Sequence, residues 1–178
     1  MHKVKVEDIA EKGLVFHFLD PKEEWDRYFD DIPRRQFAVA EPLEAMITVR
    51  TSGRGVQVEG WFHTVLGLEC CRCLEVFSFP LTSEIDVTLF PETDIVQEEE
   101  IELVSEDLKA SFFSGDEVDL SGLIREQIIL NIPFKPLCRE DCRGLCPQCG
   151  ANLNEGDCGC RRDTGFSVFE MLRDLKLQ

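Results

Sequence analysis

Residues 56–90 read VQVEGWFHTVLGLECCRCLEVFSFPLTSEIDVTLF. Two runs with a period of two flank a group of three cysteines. In the first run Val56, Val58, Phe62, Leu66 and Leu68 fall on one face, and Gln57, Glu59, His63 and Glu69 on the other. In the second run Ile85, Val87 and Leu89 alternate with Glu84, Asp86 and Thr88. Successive side chains of a strand point to opposite faces of its sheet, so this alternation marks half-buried strands. The stretch predicts two antiparallel strands joined at residues 70–73, with the cysteines on the turn.

Working outward, Ile47 and Val49 alternate with Thr48 and Arg50, and Ser52-Gly53-Arg54-Gly55 is a turn signal. The middle of the chain therefore reads as an antiparallel meander. Residues 3–20 predict one or two short strands. Residues 21–31, PKEEWDRYFDD, predict a short helix, with proline in the first turn, acids near its start, and Trp25, Tyr28 and Phe29 on one face. Residues 91–107 hold eight acids and no basic residue. They read as a solvated loop, or alternatively as a landing strip for a basic protein. Asp119 is placed to cap a helix that carries Leu120, Leu123, Ile124 and Ile128 and ends at Pro133. Near the C-terminus Ser167 and Glu170 have capping-box spacing, Phe166 and Met171 that of a hydrophobic staple, and Val168, Met171, Leu172 and Leu175 form an apolar stripe. The expectation is an α+β fold: an antiparallel β meander, two or three helices, and a Cys-rich, zinc-stapled C-terminal lobe. Residues 1–133 form an acidic β-rich part with a helix near 119–132. Residues 134–178 form the Cys-rich lobe with its C-terminal helix, the two making a single compact unit.

The chain has 178 residues, 43% hydrophobic and 30% charged, the balance of a soluble globular protein. No apolar run approaches the roughly 18 residues of a membrane span. The N-terminal stretch MHKVKVEDIAEK lacks the apolar centre of a signal peptide. A cytoplasmic protein with no membrane partner is expected, in a compartment where thiols stay reduced. The net charge of −16 resides entirely in residues 1–133, with 12 basic and 28 acidic residues; residues 134–178 balance seven against seven. A negative field repels phosphate backbones, so any RNA contact is expected on the C-terminal quarter.

Nine cysteines are many for such a compartment, and clustered thiols there indicate metal before disulfide. They occur as Cys70-Cys71-Arg72-Cys73, as Cys138 and Cys142, as Cys146-Pro147-Gln148-Cys149-Gly150, and as Cys158-Gly159-Cys160. Two residues between thiolates let both sulfurs reach one ion; the proline stiffens the turn, and Gly150 permits the positive φ that follows. Local closure groups Cys146, Cys149, Cys158 and Cys160 in one site and leaves Cys70, Cys73, Cys138 and Cys142 for a second. A rival partition puts Cys138 and Cys142 with Cys146 and Cys149, and a further one fills a single site. Cys71 is the odd thiol, expected to point away from Cys70 and Cys73 into apolar packing. Structural zinc, in two sites or at least one, leads over thiol redox chemistry at Cys70 and Cys73 and over an iron–sulfur cluster. A catalytic zinc needs an open position and usually His or Glu nearby, whereas His2, His17 and His63 lack ligand spacing. His17 is expected in a strand and His63 facing solvent. No Walker loop, dinucleotide fingerprint, nucleophile elbow or deaminase pattern occurs, so neither an enzyme nor a small-molecule substrate is expected.

Residues 70–75, CCRCLE, followed by a strand, resemble the C-x-R-C-L-E element of the YceD family, the large ribosomal RNA subunit accumulation proteins. Residues 119–138, DLSGLIREQIILNIPFKPLC, resemble its D-L … E-x-I-I-L-x-x-P-x-x-P-x-C element. Residues 138–154, CREDCRGLCPQCGANLN, with Cys158-Gly159-Cys160, are similar to its extended cysteine-rich form. The resemblance implies a non-enzymatic factor that supports accumulation or processing of large-subunit ribosomal RNA. It places Cys70, Cys73, Cys138 and Cys142 in the family's shared element, and the other four in its extended form. The expected partner is that RNA or a ribosomal protein. Lys135, Arg139, Arg143, Arg161 and Arg162 flank the expected ligands and are the candidate phosphate contacts, or else neutralise thiolates and nearby acids. The alternatives are an acidic adaptor that holds a basic ribosomal protein, a thiol redox protein, and a nuclease, which lacks a convincing carboxylate cluster.

Overall fold

The computed structural model describes residues 2–9, 12–33, 35–92 and 110–160. In chain order its elements are β1 (Lys3–Lys5), a 3-10 turn (Val6–Asp8), β2 (Leu14–Asp20), α1 (Lys22–Tyr28), β3 (Phe37–Val39), β4 (Leu43–Ser52), β5 (Gly55–Glu69), β6 (Val76–Pro91), β7 (Ala110–Phe113), β8 (Glu117–Asp119) and α2 (Leu120–Asn131). The main sheet runs β2-β4-β5-β6-β7. β4 pairs with Gly55 to His63 of β5, and β3 continues along the same edge against Leu66 to Leu68. β1 and β8 form a separate antiparallel ribbon.

The period-two pattern explains which face is buried. Leu43, Ala45, Ile47 and Val49 of β4, Val56, Val58, Phe62, Leu66 and Leu68 of β5, and Leu81, Ile85 and Leu89 of β6 all point inward. They meet Leu120, Ile124 and Ile128 of α2, and Trp25 and Phe29 at α1. Gly60 interrupts this row because a Cβ there would collide with the Met46 carbonyl oxygen of the neighbouring strand. Asp119 caps α2 as its sequence predicts, its Oδ1 accepting from the Gly122 N–H at 2.9 Å. Arg125 ties α2 to the end of α1: its Nη2 donates to both Asp31 carboxylate oxygens at 2.7 Å, and its guanidinium lies 5.4 Å from the Tyr28 ring centroid.

One feature departs from the sequence expectations. β7 lies parallel to β6, so the sheet is mixed and the meander is confined to β4-β5-β6. The register of a four-residue strand leaves no periodicity to reveal its direction. The 3–20 segment yields two strands that join different sheets. The His2 backbone anchors the ribbon, its N–H donating to Ser121 Oγ at 2.8 Å and its carbonyl accepting from the Leu120 N–H at 3.0 Å. The acidic stretch beyond residue 92 and the C-terminal helix expected around Ser167 and Glu170 lie outside the described residues.

Candidate metal centres

Each cysteine pair with two intervening residues forms the same backbone knuckle. At the β5–β6 turn the Cys70 N–H donates to the Glu75 carbonyl at 2.9 Å and the Leu74 N–H to the Cys70 carbonyl at 2.9 Å. In the C-terminal lobe the Cys146 N–H donates to Ala151 at 2.8 Å and the Gly150 N–H to Cys146 at 2.9 Å. The residue after the second cysteine is left-handed in both, Leu74 at φ 62° and Gly150 at φ 75°. Glycine adopts this region freely; leucine does so against the clash of its Cβ.

The sulfurs gather in two sets of four. Cys70, Cys73, Cys138 and Cys142 form one, and Cys146, Cys149, Cys158 and Cys160 the other, with all ligand atoms in each set within 4.8 Å of one another. In the first set Cys70 Sγ lies 3.8 Å from Cys142 Sγ, and Cys73 Sγ 3.7 Å from Cys138 Sγ. Four sulfurs about 2.3 Å from a tetrahedral ion have edges of about 3.8 Å. A disulfide would require a separation of about 2.05 Å. The residues present thus fit a single four-coordinate metal ion, and the set offers only thiol donors.

The first set is made by folding. Cys70 and Cys73 sit on the turn; Cys138 and Cys142 arrive after α2 and are docked by backbone contacts. The Cys71 N–H donates to the Pro136 carbonyl at 2.9 Å, and the Leu145 N–H to the Arg72 carbonyl at 3.2 Å. Arg72 Nη1 donates to the Cys142 carbonyl at 2.8 Å. Cys70, Cys73 and Cys142 are buried, with Phe77, Leu137 and Leu145 packed around them. The second set is local and open: Cys146 is buried, whereas Cys149 and Cys158 are exposed.

Electrostatics divides the thiols within each set. Burial raises the Cys70 thiol, but hydrogen bonds from the Cys138, Cys73 and Arg72 backbones outweigh it and bring it down to about 6. Backbone hydrogen bonds from Cys149 and Gln148 likewise bring Cys146 down to about 6. Cys142 is lowered chiefly by the Asn154 side chain. Cys138 is pushed up to about 12 by burial and by its neighbour Cys142, and Cys160 up to about 12 by Cys149 and Cys158. Cys70, Cys142 and Cys146 are thus favoured as thiolates, whereas Cys138 and Cys160 resist further negative charge beside them. A cation at the centre removes that conflict.

Two asparagines connect the sets. Asn154 Nδ2 donates to Cys142 Sγ at 3.3 Å while its Oδ1 accepts from the Arg143 N–H at 2.8 Å. Asn152 Nδ2 donates to Glu75 Oε1 at 2.8 Å, and its Oδ1 accepts from the Asn154 N–H at 3.0 Å. Both lie between Cys149 and Cys158, where asparagine ordinarily forms turns; Asn-x-Asn between two cysteine pairs is the signal that marks them. The expectation for Cys71 is corrected: its side chain is exposed, because its N–H anchors the backbone outward against Pro136.

Among the candidate phosphate contacts, Arg139 Nε lies 3.5 Å from Asp141 Oδ1, and Arg143 Nη2 pairs with Asp157. Lys135 is exposed. Arg161 and Arg162 lie outside the described residues. His17 is in β2, and its Nε2 lies 3.2 Å from Glu44 Oε1; His63, on the outer side of β5, has its Nδ1 2.9 Å from Thr82 Oγ1. Neither is near a sulfur set. No helix among the described residues is long and apolar enough to cross a membrane.

Residues 58–176 match the family model described as large ribosomal RNA subunit accumulation protein YceD. An uncharacterized protein of Mycobacterium tuberculosis is 32% identical over 114 residues, covering 62% of this chain and 51% of that protein. The large ribosomal RNA subunit accumulation protein YCED homolog 1, chloroplastic, of Arabidopsis thaliana is 26% identical over 162 residues, covering 77% and 50%. Its namesake in Zea mays is 32% identical over 142 residues, covering 67% and 48%. The chain spans about half the length of these relatives. No solved structure matches it.

Proposed function

Because this chain belongs to the YceD family, we propose that it supports accumulation of large-subunit ribosomal RNA, in the cytoplasm, as a binding factor rather than an enzyme. Two zinc ions brace it, one on each set of four cysteines. The family description names an accumulation role and no reaction. The observation that carries the metal reading is the sulfur geometry: two separations of 3.7 and 3.8 Å within a four-thiol set match the edges of one tetrahedron. Sulfurs on different irons of a multi-iron cluster lie farther apart. All-thiolate tetrahedral zinc has no open position, which suits a structural ion.

RNA contact is proposed for Lys135, Arg139, Arg143, Arg161 and Arg162, in the charge-balanced part of an otherwise acidic chain. Arg139 and Arg143 already face Asp141 and Asp157, so of the described candidates the exposed Lys135 is expected to contribute most. Reversing Arg161 and Arg162 to glutamate should weaken binding to large-subunit RNA and lower its salt slope by roughly one unit per lost contact. Unchanged binding and slope would remove these contacts from the proposal. The function itself is tested by deleting the gene in its source organism and measuring large-subunit RNA. Its level should fall, and recover with the wild-type chain but not with Cys142→Ser. Recovery with Cys142→Ser would refute the metal brace, and an unchanged RNA level on deletion would refute the function.

A further inference from the structure

The main sheet buries one face under α1 and α2. Its other face carries an apolar patch that crosses three strands. Pairing places His17 of β2 opposite Met46 of β4, Met46 opposite Trp61 of β5, and Trp61 opposite Glu84 of β6. Val15 and Leu19 flank His17 on the same side of β2. Val15 and Leu19 are each 66% exposed and Met46 is 41% exposed. The outer positions around the patch carry Glu44, Glu59, Glu84 and Asp86. Arg50 shares this face, with its Nη1 3.9 Å from Glu59 Oε2. The patch lies toward β2, the strand at one edge of the sheet.

We propose that this face docks a strongly basic protein segment in which lysine and arginine side chains flank apolar ones. Apolar side chains would cover Val15, Leu19, Met46 and Trp61, and the cations would meet the acidic rim. Charge selects this occupant. Among the described residues this face is net acidic, with Glu44, Glu59, Glu84 and Asp86 beside Arg50, and such a field repels a nucleic-acid backbone. A second copy of the chain would bring the same carboxylates face to face. Among the described residues no strand pairs with the outer edge of β2, so an extended segment can pair along it and backbone hydrogen bonds would add to the side-chain contacts. The inference extends the proposed function to a protein partner and rests on it only for the choice of probe.

The test uses the full-length, metal-loaded chain and individually purified, RNA-free large-subunit ribosomal proteins of basic charge. Isothermal titration calorimetry reads binding for the wild type and the variants alike. At least one basic protein should bind, with affinity that falls as salt rises. Polylysine, which lacks apolar side chains, should bind at least tenfold more weakly. Trp61→Ala and the double variant Glu84→Lys/Asp86→Lys should each weaken binding at least tenfold, while metal content and circular dichroism stay unchanged. The proposal is overturned if none of the proteins binds, if binding survives both variants, or if polylysine binds equally well. Self-association abolished by Trp61→Ala would assign the face to a second copy, and large-subunit RNA lost from the same variants would assign it to nucleic acid; either overturns it. The same variants in the RNA-accumulation assay separate the two ideas. Lost protein binding with normal RNA levels leaves the docking surface standing and detaches it from the proposed function.

Discussion

The two cysteine knuckles have the same backbone hydrogen bonds and different surroundings. The Cys70–Cys73 knuckle ends in a left-handed leucine and gathers its other two thiols from beyond α2. The Cys146–Cys149 knuckle ends in a left-handed glycine and closes with thiols a few residues downstream. The first set is packed under Phe77, Leu137 and Leu145, while the second leaves two cysteines exposed. An ion in the first set would close a long loop and join the sheet to the C-terminal lobe; one in the second would stiffen only its own lobe. The local chemistry is alike, and what each site does for the fold depends on how far apart its ligands lie in the chain.

The largest expected effect breaks the comparison at its base. Cys142→Ser should destabilise the whole protein by more than about 3 kcal/mol, since structural zinc contributes roughly 10 kcal/mol or more to folding. Cys149→Ser should remove one metal equivalent yet leave the melting of the sheet within a few degrees of wild type. Equal losses in thermal melts of the two variants would contradict the distinction. Chelation should likewise be biphasic, with the exposed site emptied first, as followed by a colorimetric zinc indicator; a single phase would show that the sites open together.

A smaller effect tests how the sites are coupled. Asn154→Ala removes the amide donor from Cys142 Sγ and should weaken metal affinity at the buried site by about tenfold. Competitive titration against a chelator measures it. An unchanged affinity would mean that the asparagine only shapes its own loop. The smallest effect compares the residues after the two knuckles. Leu74→Gly should stabilise the protein by up to about 1 kcal/mol, because leucine is held at φ 62° there. Gly150→Leu should destabilise by a similar amount. Chemical denaturation resolves both signs, and a destabilising Leu74→Gly would show that the 56%-exposed leucine has a packing role.

The long strands were legible because their period of two persists through Val56, Val58, Phe62, Leu66 and Leu68 despite Gly60 and Thr64 in the same row. The α2 boundary was legible because Asp119 and Pro133 act locally. The direction of β7 was not, since four residues carry no register information and parallel pairing is fixed by the chain around them. At the site, residue spacing pointed to the knuckles, and Gly150 to the left-handed turn after the second. The equivalent turn at Leu74 could not be read, because leucine rarely adopts that conformation and the tertiary contacts around Cys70 and Cys73 impose it. Asn154 and Arg72 escaped notice for a related reason: their hydrogen bonds to Cys142 join parts of the chain that only folding brings together.

The central claim is that each set of four thiols holds one zinc ion. Elemental analysis of the full chain, purified without added metal, tests it most directly. The account predicts two zinc atoms per chain and, in the native state, ready alkylation of Cys71 alone. A metal-free protein that melts cooperatively with all nine thiols reactive would contradict it.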